Sequence, residues 1–283
     1  MEAALPPDLC DVDHVRLTTV NRVRLDALLS QRGVFPSRAR AAASVLAGDV
    51  LLLPERRRAQ KPGQLVPEDV QVEVARGPEF VSRGGIKLAN ALAATGLDTA
   101  GRLALDVGAS TGGFTDCLLK RGVEHVVCMD VAYGQLDWRL RSDDRVTVIE
   151  RRNARWLRRE ELPYAPDLIV IDVSFISLKK VMPAILACAA QQFDALALIK
   201  PQFEVGREHV GSSGVVRDSQ QRRRALIEVG LEAKRLGAAV LGYTSSGLPG
   251  PKGNRETFVW LAEGVREGLG EDELEPAARD VEP

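Results

Sequence analysis

The stretch "LDVGASTGGFTD", residues 105–116, constrains this chain more than any other. An apolar run from Leu103 to Val107 ends in an acid and breaks into small residues, and Phe114 to Leu119 can then open a helix. This is the signature of a buried strand turning into a helix. Glycines at 108, 112 and 113 permit positive φ and remove Cβ atoms that would hold a ligand off the backbone. The helix that follows aims free amides and the positive end of its dipole at the same place. The pattern is GxxxGG rather than the GxGxxG of dinucleotide sites, which weakens a nicotinamide reading.

From Leu103 onward, apolar runs alternate with helical patterns: "RLALDVG", "HVVCMDVA", "RVTVIE", "DLIVIDVSF", "ALALIKPQF", "AAVLGYTSS" and "TFVWLAE". Strands alternating with helices predict an α/β fold, a mostly parallel sheet covered on both faces. In such sheets ligands bind outside the carboxyl ends of the strands. The polar residues expected there are Asp106, Asp130, Asn153, Asp172 and Lys200, with Glu256 at the start of the last strand. Asp130 is suited to ribose hydroxyls and Asn153 to an adenine edge. A lysine ending an apolar strand is costly to bury unless an acid stabilises it, and Asp172 is one strand away.

Ahead of this domain, structure is expected to start near Val23, where "VRLDALLSQRGVF" reads as a helix with Leu25, Leu28 and Leu29 on one face, stopped at Gly33. A second helix follows, with Ser37 as N-cap, Ala42, Val45 and Leu46 on its inner face, and Gly48 as its stop. The segment "VLLLPERRRAQKPGQLVPEDVQVEV" reads as two or three short strands. Residues 16–62 carry ten Lys/Arg against three Asp/Glu, whereas residues 263–282 carry eight Asp/Glu against two Arg. A net charge of −1 thus hides a basic segment suited to a polyanion and an acidic stretch at the other end. No apolar run approaches the ~20 residues of a membrane span, and "MEAALPPDLCDVDH" does not read as a secretory signal, so a cytoplasmic protein is expected. Four scattered cysteines and three histidines predict reduced thiols and no zinc site.

Two short helices followed by a small hairpin, over residues 22–76, resemble the S4 RNA-binding fold, although "LLPERRRAQ" replaces its usual short turn. Lys87 after "RGG", Asp172, Lys200 and Glu256, taken with "DVGASTGG", resemble the K-D-K-E tetrad of FtsJ-like ribose 2′-O-methyltransferases. The blocks "VSRGGIKL", "LDVGASTGGFTDCLLKRG", "DVAYGQLDWRLR", "IERRNAR", "IDVSFISL", "IKPQFEVG", "GVVRD" and "LPGPKGN" resemble the TlyA family. That haemolysin-named family joins an S4 domain to an FtsJ-like domain. The "GPEF" linker is longer than the family's short aromatic one.

The resemblance implies a Rossmann-like S-adenosylmethionine-dependent methyltransferase domain with a mostly parallel seven-stranded sheet and a small N-terminal α+β domain. The expected boundaries are a disordered extension at 1–21, an S4-like domain at 22–76, a linker at 77–86, the methyltransferase domain at 87–264 and an acidic tail at 265–283. The implied reaction is 2′-O-methylation of cytidine in ribosomal RNA, in the large subunit and in some members the small one. The implied catalytic set is Lys87, Asp172, Lys200 and Glu256, with Lys200 beside the attacking hydroxyl. Cofactor contacts are expected from Asp106, Gly108, Ala109, Ser110, Thr111, Gly112, Gly113, Phe114, Asp130, Asn153 and Asp172. RNA contacts are expected from Arg22, Arg24, Arg38, Arg40, Arg56, Arg57, Arg58 and Arg83, with no membrane partner and no metal. The competing readings are a cofactor-holding assembly factor without turnover, a membrane-active haemolysin and a nicotinamide oxidoreductase.

Overall fold

The structure is a computed structural model that describes residues 21–74 and 79–282. The expected disordered extension lies outside them up to residue 20. The chain divides between residues 77 and 78 into two compact units.

In the smaller unit, β1 (Arg22–Arg24) leads into α1 (Leu25–Gln31) and α2 (Arg38–Ala47). Four short strands follow: β2 (Val50–Leu52), β3 (Arg57–Arg58), β4 (Leu65–Pro67) and β5 (Val72–Val74). β1 pairs antiparallel with β4, and β2 pairs antiparallel with both β3 and β5. Ser37 Oγ accepts the Arg40 amide at 3.2 Å and Gly48 ends α2 in the left-handed region, as the capping residues predict. Leu25, Leu28 and Leu29 pack with Ala41, Val45, Val50 and Val66. Two expectations are corrected. The chain pairs as a strand at 22–24 before the first helix begins. Ala41 and Val45, one turn apart, form the inner face of α2, whereas Leu46 points outward at 73% exposure.

The larger unit begins with α3 (Arg83–Thr95), so "RGG" forms the first turn of a helix inside the stretch expected as linker. Packing explains the early start: a Cβ on Gly85 would lie 2.3 Å from the Phe80 ring, so Phe80 seals the bare helix face there. Then come β6 (Leu103–Val107), α4 (Gly113–Lys120), β7 (His125–Met129), α5 (Trp138–Arg141), β8 (Val146–Ile149), β9 (Leu168–Ile171), α6 (Leu178–Leu186), β10 (Asp194–Ile199), α7 (Pro201–Glu204), α8 (Ser219–Arg235), β11 (Ala238–Ser245), β12 (Thr257–Glu263) and α9 (Leu274–Val281).

The seven strands form one sheet in the order β11-β12-β10-β9-β6-β7-β8. β10, β9, β6, β7 and β8 run parallel, while β12 is antiparallel to both β10 and β11. Alternate residues face opposite layers. Leu105, Val107, Val127, Ile169 and Ala197 pack with α6, α8 and α9, whereas Ala104, Val126, Leu168 and Leu196 pack with α3 and α4. The mostly parallel seven-stranded sheet expected from the alternation is what the chain forms. The acidic stretch after β12 includes α9, whose Leu274 and Ala278 are fully buried against the sheet layer.

At the amino end of β10, buried Asp194 accepts Trp260 Nε1 at 2.9 Å, Arg266 Nη1 at 2.6 Å and Arg102 Nη2 at 3.2 Å. It holds three strands and a loop with one carboxylate. Asp194→Ala is expected to lower stability by about 2 kcal/mol or more, since charged donors lose their acceptor. Urea unfolding checks this, and a change below ~0.5 kcal/mol, the range of an ordinary surface substitution, would refute it.

Candidate active site

Chain order reverses at β6, which lies between β7 and β9, and a crevice opens at the carboxyl ends of these strands. The turn after β6 fills its floor. Gly108 (φ +86), Ser110 (φ +50) and Gly112 (φ +94) are left-handed in alternation. The Gly108 and Ala109 amides donate to the Met129 carbonyl at 2.8 and 3.2 Å, tying the turn to the end of β7. Why glycine stands here is clearer in space than in sequence. A Cβ at 108 would lie 2.4 Å from the Asp172 carbonyl oxygen, one at 112 would lie 2.2 Å from Leu140, and one at 113 would lie 2.2 Å from Ser82 Oγ. These glycines let the turn press against β9, α5 and the start of α3. Close packing of chain on chain is their first role, before any approach of a ligand.

Two acids organise the turn. Asp106 is fully buried, and its Oδ2 accepts the Thr115 amide at 3.0 Å and the Thr115 hydroxyl at 2.6 Å. Its Oδ1 has no hydrogen-bond partner. Burial, with Asp172 and Asp130 nearby, pushes the Asp106 carboxyl up to about 7 against the pull of Thr115. Asp130 accepts the Ser110 amide at Oδ2 and the Ala132 amide at Oδ1, both at 2.8 Å. It therefore shapes the backbone of the crevice as well as lining it. Asn153 Oδ1 accepts the Arg155 amide at 3.0 Å, capping a short 3₁₀ turn at Ala154–Trp156.

Two cavities meet here. One, of about 320 Å³, is lined by Gly108, Ser110, Asp130, Asn153, Asp172 and Phe175 among others. The other, of about 370 Å³, is lined by Lys87, Asp106, Gly108, Ala109, Ser110, Thr111, Gly113, Phe114 and Asp172, with Arg83, Pro249 and Pro251 at its edge. Gly108, Ser110 and Asp172 belong to both. Of the expected cofactor residues, Gly112 lines neither, being packed beneath Leu136 and Leu140.

The four expected catalytic residues form two ion pairs. Lys200, at the end of β10, has Nζ 2.5 Å from Asp172 Oδ1, off the line of a well-aligned hydrogen bond, and donates to Ser174 Oγ at 2.9 Å. Lys87, on α3, pairs with Glu256, and both are buried. Lys87 and Asp172 stand on the wall of the second cavity, while their partners Lys200 and Glu256 do not line it. Glu256 Oε1, like Asp106 Oδ1, is a buried oxygen without a donor.

Sequence reading missed Phe175. Its ring is 92% exposed at the rim of the first cavity, on left-handed backbone (φ +64), 5.4 Å from the Phe203 ring. "VSF" directly after Asp172 placed it near the crevice, but only the fold shows that it is not core. Arg83, expected on RNA, donates Nη2 to the Pro249 carbonyl at 3.0 Å and so ties α3 to the 249–251 loop.

Among the described residues, the arginines of the smaller unit are all exposed. Asp26, buried in α1, holds Arg24 through two bonds of 3.1 and 2.8 Å and has Arg38 at 3.5 Å. The Arg24 guanidinium holds the Asp26 carboxyl below its ordinary value. Arg56 pairs with Glu73 at 2.8 Å. Arg22, Arg40, Arg57 and Arg58 have no carboxylate partner among the described residues.

The raised Asp106 carboxyl makes a pH prediction. Between the ordinary carboxylate value near ~4 and about 7, the folded chain holds a proton that the unfolded chain releases, so Asp106 costs stability as pH rises through that window. Asp106→Asn should raise the Tm relative to the parent chain at pH 8 more than at pH 5. A Tm difference independent of pH would show that Asp106 ionises normally.

The family described as FtsJ-like methyltransferase matches residues 80–263. Over 258 residues the chain is 47% identical to the 16S/23S rRNA (cytidine-2′-O)-methyltransferase TlyA of Mycobacterium tuberculosis, covering 90% of this chain and 96% of that protein. It is 37% identical over 235 residues to Hemolysin A of Brachyspira hyodysenteriae, covering 83% and 97%. A solved hemolysin-named chain from Streptococcus thermophilus shares 34% identity at a TM-score of 0.69, covering 93% and 96%. With the match spanning all seven strands of the sheet and the crevice at their ends, the chain belongs to the FtsJ-like methyltransferase family and to the TlyA group within it.

Proposed function

We propose that the chain transfers a methyl group from S-adenosylmethionine to the ribose 2′-hydroxyl of cytidine in ribosomal RNA. The substrate is the RNA of the large subunit, with that of the small subunit as an additional one. The observation that carries this reading is the pair of lysine–carboxylate contacts at the crevice of a chain 47% identical to TlyA.

The crevice suits the cofactor. Asp106 Oδ1, on the wall of the second cavity, is a buried acceptor that wants a donor, and a buried unpaired oxygen is costly. The cofactor brings ammonium, hydroxyl and amino donors. The glycine turn, Asp106, Ala109, Ser110, Thr111 and Phe114 would hold its amino-acid end, with Gly112 and Gly113 setting the turn's shape. Asp130 would hold its ribose, and Asn153 and Asp172 its adenosine side. When bound, it supplies a methyl group on a positively charged sulfur, which an oxygen nucleophile attacks in line.

The chain's own residues then align that oxygen and manage its charge. Lys87 and Asp172, on the cavity wall, steer the ribose. Lys200 Nζ, fixed by Asp172 and Ser174, is the cation that stabilises the negative charge developing on the oxygen, whose proton passes to solvent water. Glu256 keeps Lys87 in place. The Phe175 ring offers a face on which an unstacked base can rest, as RNA-binding aromatics do. The exposed arginines of the smaller unit, Arg22, Arg40, Arg57 and Arg58 foremost, meet phosphates and give salt-dependent affinity.

The test is incubation with labelled S-adenosylmethionine and unmodified ribosomal subunits, followed by nucleotide-resolution mapping of 2′-O-methyl groups. One or two labelled cytidines are expected. Lys200→Ala should cut transfer by roughly 10²–10³-fold, the scale of a lost transition-state charge contact, while cofactor affinity stays within a few-fold. Near-normal turnover in that variant would remove Lys200 from its role, and no transfer to either subunit despite cofactor binding would favour an assembly factor without turnover.

RNA binding divides by ion pairing. Arg40→Glu should weaken RNA binding more than Arg38→Glu, because Asp26 already draws on Arg38. Each lost phosphate contact should reduce the salt slope of binding by about 1. Filter binding across a salt series reads this, and equal losses from both variants would show that Asp26 does not restrain Arg38.

A further inference from the structure

Residues 264–282 lie beyond those matched to the FtsJ-like family, and the proposed reaction uses none of them. Glu282, which follows α9, is only 2% exposed. A carboxylate is almost never buried without partners. Its Oε2 accepts Arg222 Nε at 2.8 Å and lies 3.6 Å from Arg255 Nη1, and its backbone carbonyl accepts Arg223 Nη1 at 3.1 Å.

The contacts do not stop there. Arg222, itself buried, also donates to the carbonyls of Val216 at 3.2 Å and Arg217 at 2.7 Å. The Val216 amide donates to Asn254 Oδ1 at 2.9 Å, and Asn254 Nδ2 donates to the Gly214 carbonyl at 2.8 Å. Asn254 is 2% exposed. Arg255 and Glu256 come next in the chain, and Glu256 holds Lys87. A run of polar contacts through the buried side chains of Glu282, Arg222 and Asn254, continued along the backbone from Asn254 to Glu256, therefore joins Glu282 to Lys87 on the wall of the second cavity.

A staple of α9 onto α8 would need only the Glu282–Arg222 pair. Two features exceed it. Arg222 reaches out of its helix to the 216–217 backbone, and Arg255, adjacent to Glu256, lies beside the same carboxylate. We propose that Glu282 is a positioning residue whose carboxylate, through Arg222 and Arg255, fixes the 214–217 and 254–256 segments so that Glu256 holds Lys87 at the cavity. This rests on the reading in which Lys87 steers the substrate ribose.

The test uses the full chain with Glu282→Ala and Glu282→Gln, compared by amide hydrogen exchange and by methyl transfer. Glu282→Ala should speed exchange by about tenfold or more at residues 246–256 and at Val216, while residues 103–130 change less than about twofold. Its kcat for transfer should fall by about fivefold or more, as misplaced catalytic groups do, with cofactor Kd within about twofold. Glu282→Gln, which keeps an acceptor oxygen for Arg222, should fall between Glu282→Ala and the parent on both measures. Unchanged exchange at 246–256 overturns the proposal. So does equal acceleration in residues 103–107 and 125–129, because Glu282 would then only stabilise the unit as a whole. If Glu282→Ala does not fold, the same regional contrast in Glu282→Gln decides. Absence of transfer by the parent chain strikes the methyltransferase reading instead, and the exchange contrast still decides whether Glu282 fixes the loop.

Discussion

No side chain fits between residue 108 and the carbonyl of Asp172, and the crevice depends on that approach. It brings the end of β6 against the end of β9, so that one residue, Asp172, borders both cavities. The same approach sets Asp106 deep beneath the turn, where Thr115 satisfies one oxygen and leaves the other bare. From this point the geometry propagates outward: to Lys200 through Asp172, and to α3 through the clash-limited contacts of Gly113 with Ser82 and Gly85. α3 in turn carries Lys87.

Charge is arranged by the same economy of partners. The crevice holds three acids, Asp106, Asp130 and Asp172, within mutual influence, and they are handled in three ways. Asp106 is hidden and held near neutrality, Asp130 is covered by backbone amides, and Asp172 faces a lysine. Three neighbouring strand ends thereby carry acceptors of different character. Away from the site, Asp194 and Glu282 act as hubs for arginines, and Asp26 does the same for the exposed Arg24 and Arg38. Each hub sets which arginines remain free.

The alternation of apolar runs and helical patterns after Leu103 was legible because each parallel strand is buried on both faces and must be apolar throughout. The strand-end residues were legible for a related reason: a charged group after a buried strand needs a partner, and the open end of the sheet provides one. Ser37 and Gly48 were legible as caps because their chemistry is local. Leu46 was not, because which face of an alanine-rich helix turns inward is set by α1 and not by α2 itself. Phe175 was not, because an exposed phenylalanine on left-handed backbone contradicts both its propensity and its hydrophobicity. The start of α3 depended on Phe80 filling the space above Gly85.

The sequence by itself thus determined the α/β class, the turn after β6 and the identity of the acids and lysines at the strand ends, since these follow from local periodicity and from the cost of burying charge. Only the tertiary structure decided that Lys87 pairs with Glu256, which of the four reach the cavity wall, and that the glycines serve chain contact. It also decided that the acidic stretch folds back to place Glu282 on Arg222 and Arg255. Those facts join residues tens to hundreds of positions apart, and no local pattern carries the distance between them.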